Sequence, residues 1–356
     1  MRRLRPRTML RRSLLIAVGL VVVAATPALA DPAKPTNYRS TVLRLSPSTS
    51  AVTARVVGGD GYLYLKVERG HEAVVPSTTA NAPPYLRFEK DGTVRENQLS
   101  PNTFINNSRY GGTAVPSDAS KATATTPPVW KTVSTDGSYA WHDHRIHWMV
   151  PGTPPQLGGR STGKVSMGGP NGDWQVPLLV DGRPVTVYGE LVLNGAQSPL
   201  PWVALAVVAA VPLFFAGRRR PVAAGVGAAL VAGLVALVVG MAQNAAIPAG
   251  AGAMAVTVAL PAVAVVAAVV GSILRPPPTK VIGGLAAVAA LLGWVATRFA
   301  VFTKSVLPTD LNFNLDRAGT AVVIGLSVAA AALLVRSGAL TPAAPPASTP
   351  APGSAP

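Results

Sequence analysis

The sequence predicts an extracytoplasmic all-β, immunoglobulin-like sandwich followed by a five-helix transmembrane α domain. Three observations carry that prediction. Short runs of alternating apolar and polar residues, punctuated by Asp-Gly pairs, fill residues 31–198. Five apolar stretches, each near the ~20 residues a spanning helix needs, follow from Pro199. A basic, then apolar, segment ending in small residues precedes both.

Residues 1–30 read as a secretory signal. Arg2, Arg3, Arg5, Arg7, Arg11 and Arg12 form its positive region, Ser13 to Ala25 its apolar core, and Ala28-Leu29-Ala30 a cleavage site before Asp31. Arg11-Arg12 followed by Ser13-Leu14-Leu15 is a loose twin-arginine pattern, which would export a folded domain; an ordinary arginine-rich Sec signal is the plainer reading.

Residues 31–198 form the sandwich. Alternation runs through Ser40 to Leu45, Ala51 to Val57 and Tyr62 to Val67. Asp60-Gly61, Asp91-Gly92, Asp136-Gly137 and Asp181-Gly182 suit turns that need positive φ. The last pair joins Trp174–Val180 to Pro184–Val192 as a hairpin. Asn102 to Pro128 and Pro151 to Pro170, rich in Gly, Pro, Ser and Thr, read as long loops.

Residues 199–336 form the membrane domain, with helices at about 200–217, 222–243, 254–274, 281–302 and 318–335. Signal cleavage leaves the sandwich outside. Arg218-Arg219-Arg220, Arg275, Lys280 and Arg336 then all fall on the inner side, as the positive-inside rule requires. Trp202 and Trp294 fall toward the outer interface. Gly225, Gly227, Gly233, Gly240, Gly283, Gly284 and Gly293 let helix backbones approach closely. Arg298 lies near an outer end and is expected to snorkel to the headgroups. With so little ionisable inside the spans, the helices read as an anchor or assembly surface. Thr303 to Arg317 reads as a plain solvated loop, docking on the sandwich being the alternative. The Pro/Ala-rich tail, 337–356, cannot build a core and is expected to be a disordered cytoplasmic end.

The formal charge of +16 overstates the exported part. Six arginines leave with the signal, and residues 31–198 hold 16 Lys/Arg against 13 Asp/Glu, a net of +3, so there is no broad basic face for nucleic acid. Cysteine is absent, which excludes disulfides, thiolate metal sites and thiol catalysis. Gly159-Arg160-Ser161-Thr162-Gly163-Lys164 spells both Gly-x-Ser-x-Gly and Ser-x-x-Lys. It lies in the Gly/Pro-rich stretch read as a long loop and not at the strand-to-helix turn that such a nucleophile needs, so it does not support an enzyme.

Three of the four histidines fall in one run, Trp141-His142-Asp143-His144-Arg145-Ile146-His147-Trp148-Met149. On a strand, His142 and His144 share a face that His147 leaves; on a helix from His144, His144 and His147 share one that excludes His142. The three therefore meet only if the chain bends. Imidazoles with the Met149 thioether in reach suit copper, the thioether favouring the cuprous state. Three histidines with an open position also suit zinc, with Asp143 as ligand or supporting partner. His71, beside Glu72, is a further candidate ligand. The competing reading is structural: histidines bonded to backbone, flanking tryptophans filling the core, and an Asp143–Arg145 pair.

Pro84-Tyr85-Leu86-Arg87-Phe88, Ser108-Arg109-Tyr110-Gly111-Gly112 and the Trp141–Met149 run, followed by small-residue helices, resemble a group of actinobacterial exported membrane proteins. That group has a signal peptide, an extracytoplasmic β-domain and C-terminal transmembrane helices, and is associated with CopC-like copper proteins. The resemblance covers nearly the whole mature chain, and the histidine run is its most specific part. It implies a copper role in the cell envelope, with envelope copper-handling proteins as partners. CopC-type chains begin with a histidine ligand, whereas here the mature start is Asp31-Pro32, so any ligands must be internal. Two functions result: a membrane-anchored protein binding copper through His142, His144 and His147, or a non-metal envelope interaction or assembly protein in which the run is structural.

Overall fold

The alternating segments become eleven strands in a computed structural model of the chain, which describes residues 33–110, 114–150, 152–248, 255–274 and 277–340. The predicted signal and nearly all of the tail lie outside the described residues. The strands are β1 (Tyr38–Ser46), β2 (Val52–Val57), β3 (Tyr62–Val67), β4 (Ala73–Val75), β5 (Leu86–Phe88), β6 (Val94–Asn97), β7 (Trp130–Ser134), β8 (Ser138–Trp141), β9 (Gly163–Val165), β10 (Trp174–Val180) and β11 (Arg183–Leu193). One antiparallel sheet has the order β1-β11-β10-β4-β5-β6-β7, with β9 also on β11; the other is β2-β3-β8. Inward residues of both, among them Leu63, Leu65, Phe88, Trp141, Val176, Leu178 and Val187, share one core.

The β10–β11 hairpin follows its sequence. Val180 pairs with Arg183 across Asp181 (φ 48°) and Gly182 (φ 74°), a two-residue turn with both central residues left-handed. Asp60-Gly61 does not act in this way. The β2–β3 connection turns on Gly58 (φ 68°) and Gly59 (φ 81°), which frees Asp60 for another role. The two predicted loops carry short helices, α1 (Pro101–Ile105) and α2 (Ser117–Lys121), and β9.

Five helices follow, each long and apolar enough to cross a membrane: α3 (Leu200–Gly217), α4 (Pro221–Ala245), α5 (Ala255–Ile273), α6 (Pro277–Ala296) and α7 (Phe313–Arg336). They make the chain a multi-pass membrane protein. Small residues set their spacing: a Cβ on Gly240 would lie 2.0 Å from the Thr257 carbonyl, and one on Gly325 2.2 Å from that of Ala206. Gly227 faces open space instead, so not every predicted glycine is a contact. Arg218–Arg220, Lys280 and Arg336 lie at the end of the bundle opposite the β domain.

Four sequence expectations are corrected. The predicted fourth span, 281–302, ends at Ala296; Arg298 leaves helical geometry, and Phe299–Phe302 is a short 3-10 turn. Arg298 does not snorkel. It is 2% exposed, paired with Asp316 and Gln243, bonded to Thr320 Oγ1 at 3.3 Å and stacked on Trp294 at 4.8 Å. Trp294 is likewise buried, donating to the Thr257 carbonyl at 3.0 Å, and not at the interface. The Thr303–Arg317 loop docks on the β domain: Thr36 and Val306 exchange backbone hydrogen bonds of 3.0 and 2.9 Å, and Ser305 donates to Asn37 Oδ1 at 3.0 Å. Hydrogen-bonding groups left on the loop and on the strand approach to β1 satisfy one another, which a solvated loop would leave to water.

Candidate metal centre

The histidine run begins where β8 ends. Trp141 pairs with Leu63 of β3, and the chain then turns within four residues, Ile146 N donating to the Asp143 carbonyl at 3.2 Å. Asp143 is the pivot. Its carboxylate accepts from Trp141 Nε1 at 2.8 Å, from the Arg145 backbone N–H at 3.0 Å, and from Arg145 Nε and NH2 at 2.8 and 2.6 Å. An aspartate bonding the amide two residues on stabilises a local turn. Ile146, fully buried in the sandwich core, then drives the chain back. This is the bend that the spacing required.

The turn brings the three imidazoles together. Ring centroids are 4.7 Å apart for His142–His147, 5.4 Å for His144–His147 and 5.9 Å for His142–His144. His142 and His147 are buried and His144 is half-buried. Two of the rings are held from outside. His142 Nδ1 donates to the Gly61 carbonyl and His144 Nε2 to the Ser108 carbonyl at 2.8 Å. A carbonyl only accepts, so each bond assigns the tautomer and turns the opposite nitrogen into the acceptor.

Among the described residues neither ring nitrogen of His147 makes a well-formed hydrogen bond, and only the Trp148 backbone lies near enough to favour its proton slightly. Burial, followed by the neighbouring His142, Arg109 and His144, pushes its pKa down to about 2, so the ring is neutral. Asp143 goes the other way. Burial opposes its charge, but Arg145 and the Trp141 hydrogen bond overcome that and hold the carboxyl at about 2.

A second buried pair borders the rings. Arg109 grips Asp60 through both guanidinium nitrogens, NH1 at 2.8 Å, and Asp60 is fully buried. Burial raises the Asp60 pKa despite Arg109, while that carboxylate raises Arg109 against its own burial. Tyr62 packs on His142 at 5.3 Å. Sequence reasoning missed Asp60 and Tyr62; the only signal was an acidic residue in a turn whose glycines already suffice to reverse the chain.

The remaining candidates lie elsewhere. His71 donates from Nδ1 to Asp181 Oδ2 at 2.7 Å beside the β10–β11 turn, about half exposed, and is not one of the clustered rings. Met149 is partly exposed, and no hydrogen bond or ring contact among the described residues ties it to the cluster. Asp143 has both oxygens committed to Trp141 and Arg145. Among the described residues no group of three or more His, Asp or Glu is already arranged to hold a metal ion. The ring positions converge, but the nitrogens are not yet aimed at one point.

The cluster stands at the membrane-facing end of the β domain. Gly61, which holds His142, belongs to the β2–β3 loop, whose Gly58 lies against Ile247 after α4 and whose Gly59 lies against Val306. The fold thus defines a multi-pass membrane protein with an antiparallel β domain seated on its helices. No protein-family profile, curated protein or solved structure matches the chain.

Proposed function

We propose that this is a membrane-anchored cell-envelope protein whose β domain lies outside the membrane and binds copper through His142, His144 and His147. The ring spacing carries the reading. An ion bonded at ~2.0–2.1 Å to one nitrogen of each ring would set the centroids roughly 5.2–5.5 Å apart for tetrahedral or trigonal coordination. The three separations of 4.7, 5.4 and 5.9 Å bracket that value. Backbone carbonyls on the far nitrogens of His142 and His144 are the outer support that ligating histidines ordinarily have. His147, neutral and without a well-formed bond among the described residues, supplies the third ring. A zinc site completed by Asp143 is disfavoured because that carboxylate is fully occupied by Trp141 and Arg145. The outward orientation is supported by the arginines at the opposite end of the bundle.

The full-length protein in detergent, titrated with cuprous and cupric ions beside the variant His142→Ala/His144→Ala/His147→Ala, tests this. One equivalent taken up by the wild type and lost in the variant is expected. Equal, weak uptake by both sinks the metal reading.

One observation favours a second function, a non-metal envelope interaction or assembly protein. His142 and His144 fasten the β8 turn to two separate loops through Gly61 and Ser108, as a structural clasp would. In that case the triple variant loses thermal stability and partner binding in the absence of any metal.

A further inference from the structure

Resting on the copper reading, we infer that the Arg109–Asp60 pair makes this pocket selective for a singly charged soft cation, the cuprous ion, over divalent metals. The charges around the rings carry this. Each carboxylate bordering the cluster is matched to its own arginine: Asp60 to Arg109 at 2.8 Å, and Asp143 to Arg145 at 2.6 Å. Both acids are almost wholly excluded from solvent, at 0% and 1% exposure. An imidazole that ligates a metal does so in its neutral form and brings no charge. Among the described residues no unbalanced negative charge is therefore left beside the rings to receive a cation, and the incoming ion's charge stays uncompensated.

Desolvation cost grows with the square of the ionic charge, so a divalent ion meets about four times the penalty of a monovalent one in the same pocket. The Arg109 guanidinium, whose charge acts on His147, repels a divalent ion twice as strongly. Three nitrogen ligands satisfy a closed-shell monovalent ion that accepts low coordination. A divalent ion would take water as its fourth ligand and gain no charge compensation from a carboxylate, because Asp60 and Asp143 are both held by arginine. Arg109 is thus a specificity-determining residue that need not touch the metal.

The test uses the full chain in detergent under anaerobic conditions. Cuprous ion is presented from a chelator buffer, silver serves as the redox-inert monovalent probe, and zinc and cupric ions are the divalent competitors. The wild type is expected to bind cuprous and silver ions on the order of 100-fold more tightly than zinc. In Arg109→Gln, which leaves Asp60 unbalanced, zinc affinity is expected to rise at least about tenfold. Zinc binding as tightly as silver in the wild type overturns the inference while leaving a histidine metal site standing. Absence of binding by all four ions removes the metal reading itself, and the selectivity with it. Should Arg109→Gln fail to fold, the wild-type silver-to-zinc ratio still decides.

Discussion

Replacing Arg298 by methionine tests whether the buried polar network of the membrane domain holds the molecule together. Arg298 follows α6 and reaches Gln243 on α4 and both Asp316 and Thr320 on α7, with its charge over the Trp294 ring. It joins three helices directly beneath the loop that docks on the β domain. Asp316 is 1% exposed, and among the described residues its Oδ2 has no hydrogen-bond partner and Arg298 is its one ion-pair partner, so Arg298→Met leaves a buried carboxylate without its ion pair. Breaking a buried pair from one side costs about 3–5 kcal/mol, most of it the desolvation of the charge left behind. The double variant Arg298→Met/Asp316→Leu removes that orphan and is expected to be more stable than either single, with a coupling energy of about 2 kcal/mol or more. Unfolding in mixed detergent micelles, followed by tryptophan fluorescence, reads these differences. Arg298→Met within about 0.5 kcal/mol of wild type, with additive effects in the double variant, would refute the network and return Arg298 to the headgroups.

Asp143 gives a pH-dependent prediction. Its carboxyl is depressed from the ordinary 3.8 to about 2, so its contribution is present above pH ~4 and is lost as pH falls through about 2. That loss is on the order of 2 kcal/mol, and Asp143→Asn removes it, so wild-type and variant stabilities should converge in acid; curves that stay parallel between pH 5 and 2 count against the pivot. In the large sheet, Gly189→Ala would set a Cβ 2.0 Å from Trp174 Cζ2 and 2.3 Å from the Thr41 carbonyl. Thermal melts should show a loss at or above the upper end of ~1–3 kcal/mol. Gly182→Ala, in open space at φ 74°, should cost only about 1 kcal/mol, and equal losses would show that steric fit at Gly189 is not the cause.

The sequence by itself determined the two-part architecture, because its signals are local. Period-two alternation and a left-handed Asp181-Gly182 turn define a hairpin without outside help. A run of apolar residues long enough to cross a bilayer becomes a helix because only intrasegment hydrogen bonds satisfy its backbone there. The histidine run was legible as a cluster of candidate ligands, and so was its need for a bend. Only tertiary structure decided that the bend exists, since Asp143 turns the chain by using Trp141 and Arg145 while Ile146 is drawn into a core built by distant strands. Asp60, 82 positions before His142, could not be assigned to the site from spacing, because it arrives there by the pairing of β2, β3 and β8. The same limit applied in the membrane: Arg298 near a helix end looks like a snorkelling side chain until α4 and α7 place Gln243 and Asp316 around it. Local patterns fix which groups the chain needs to bury, but the partners that make burial affordable come from elsewhere in the fold.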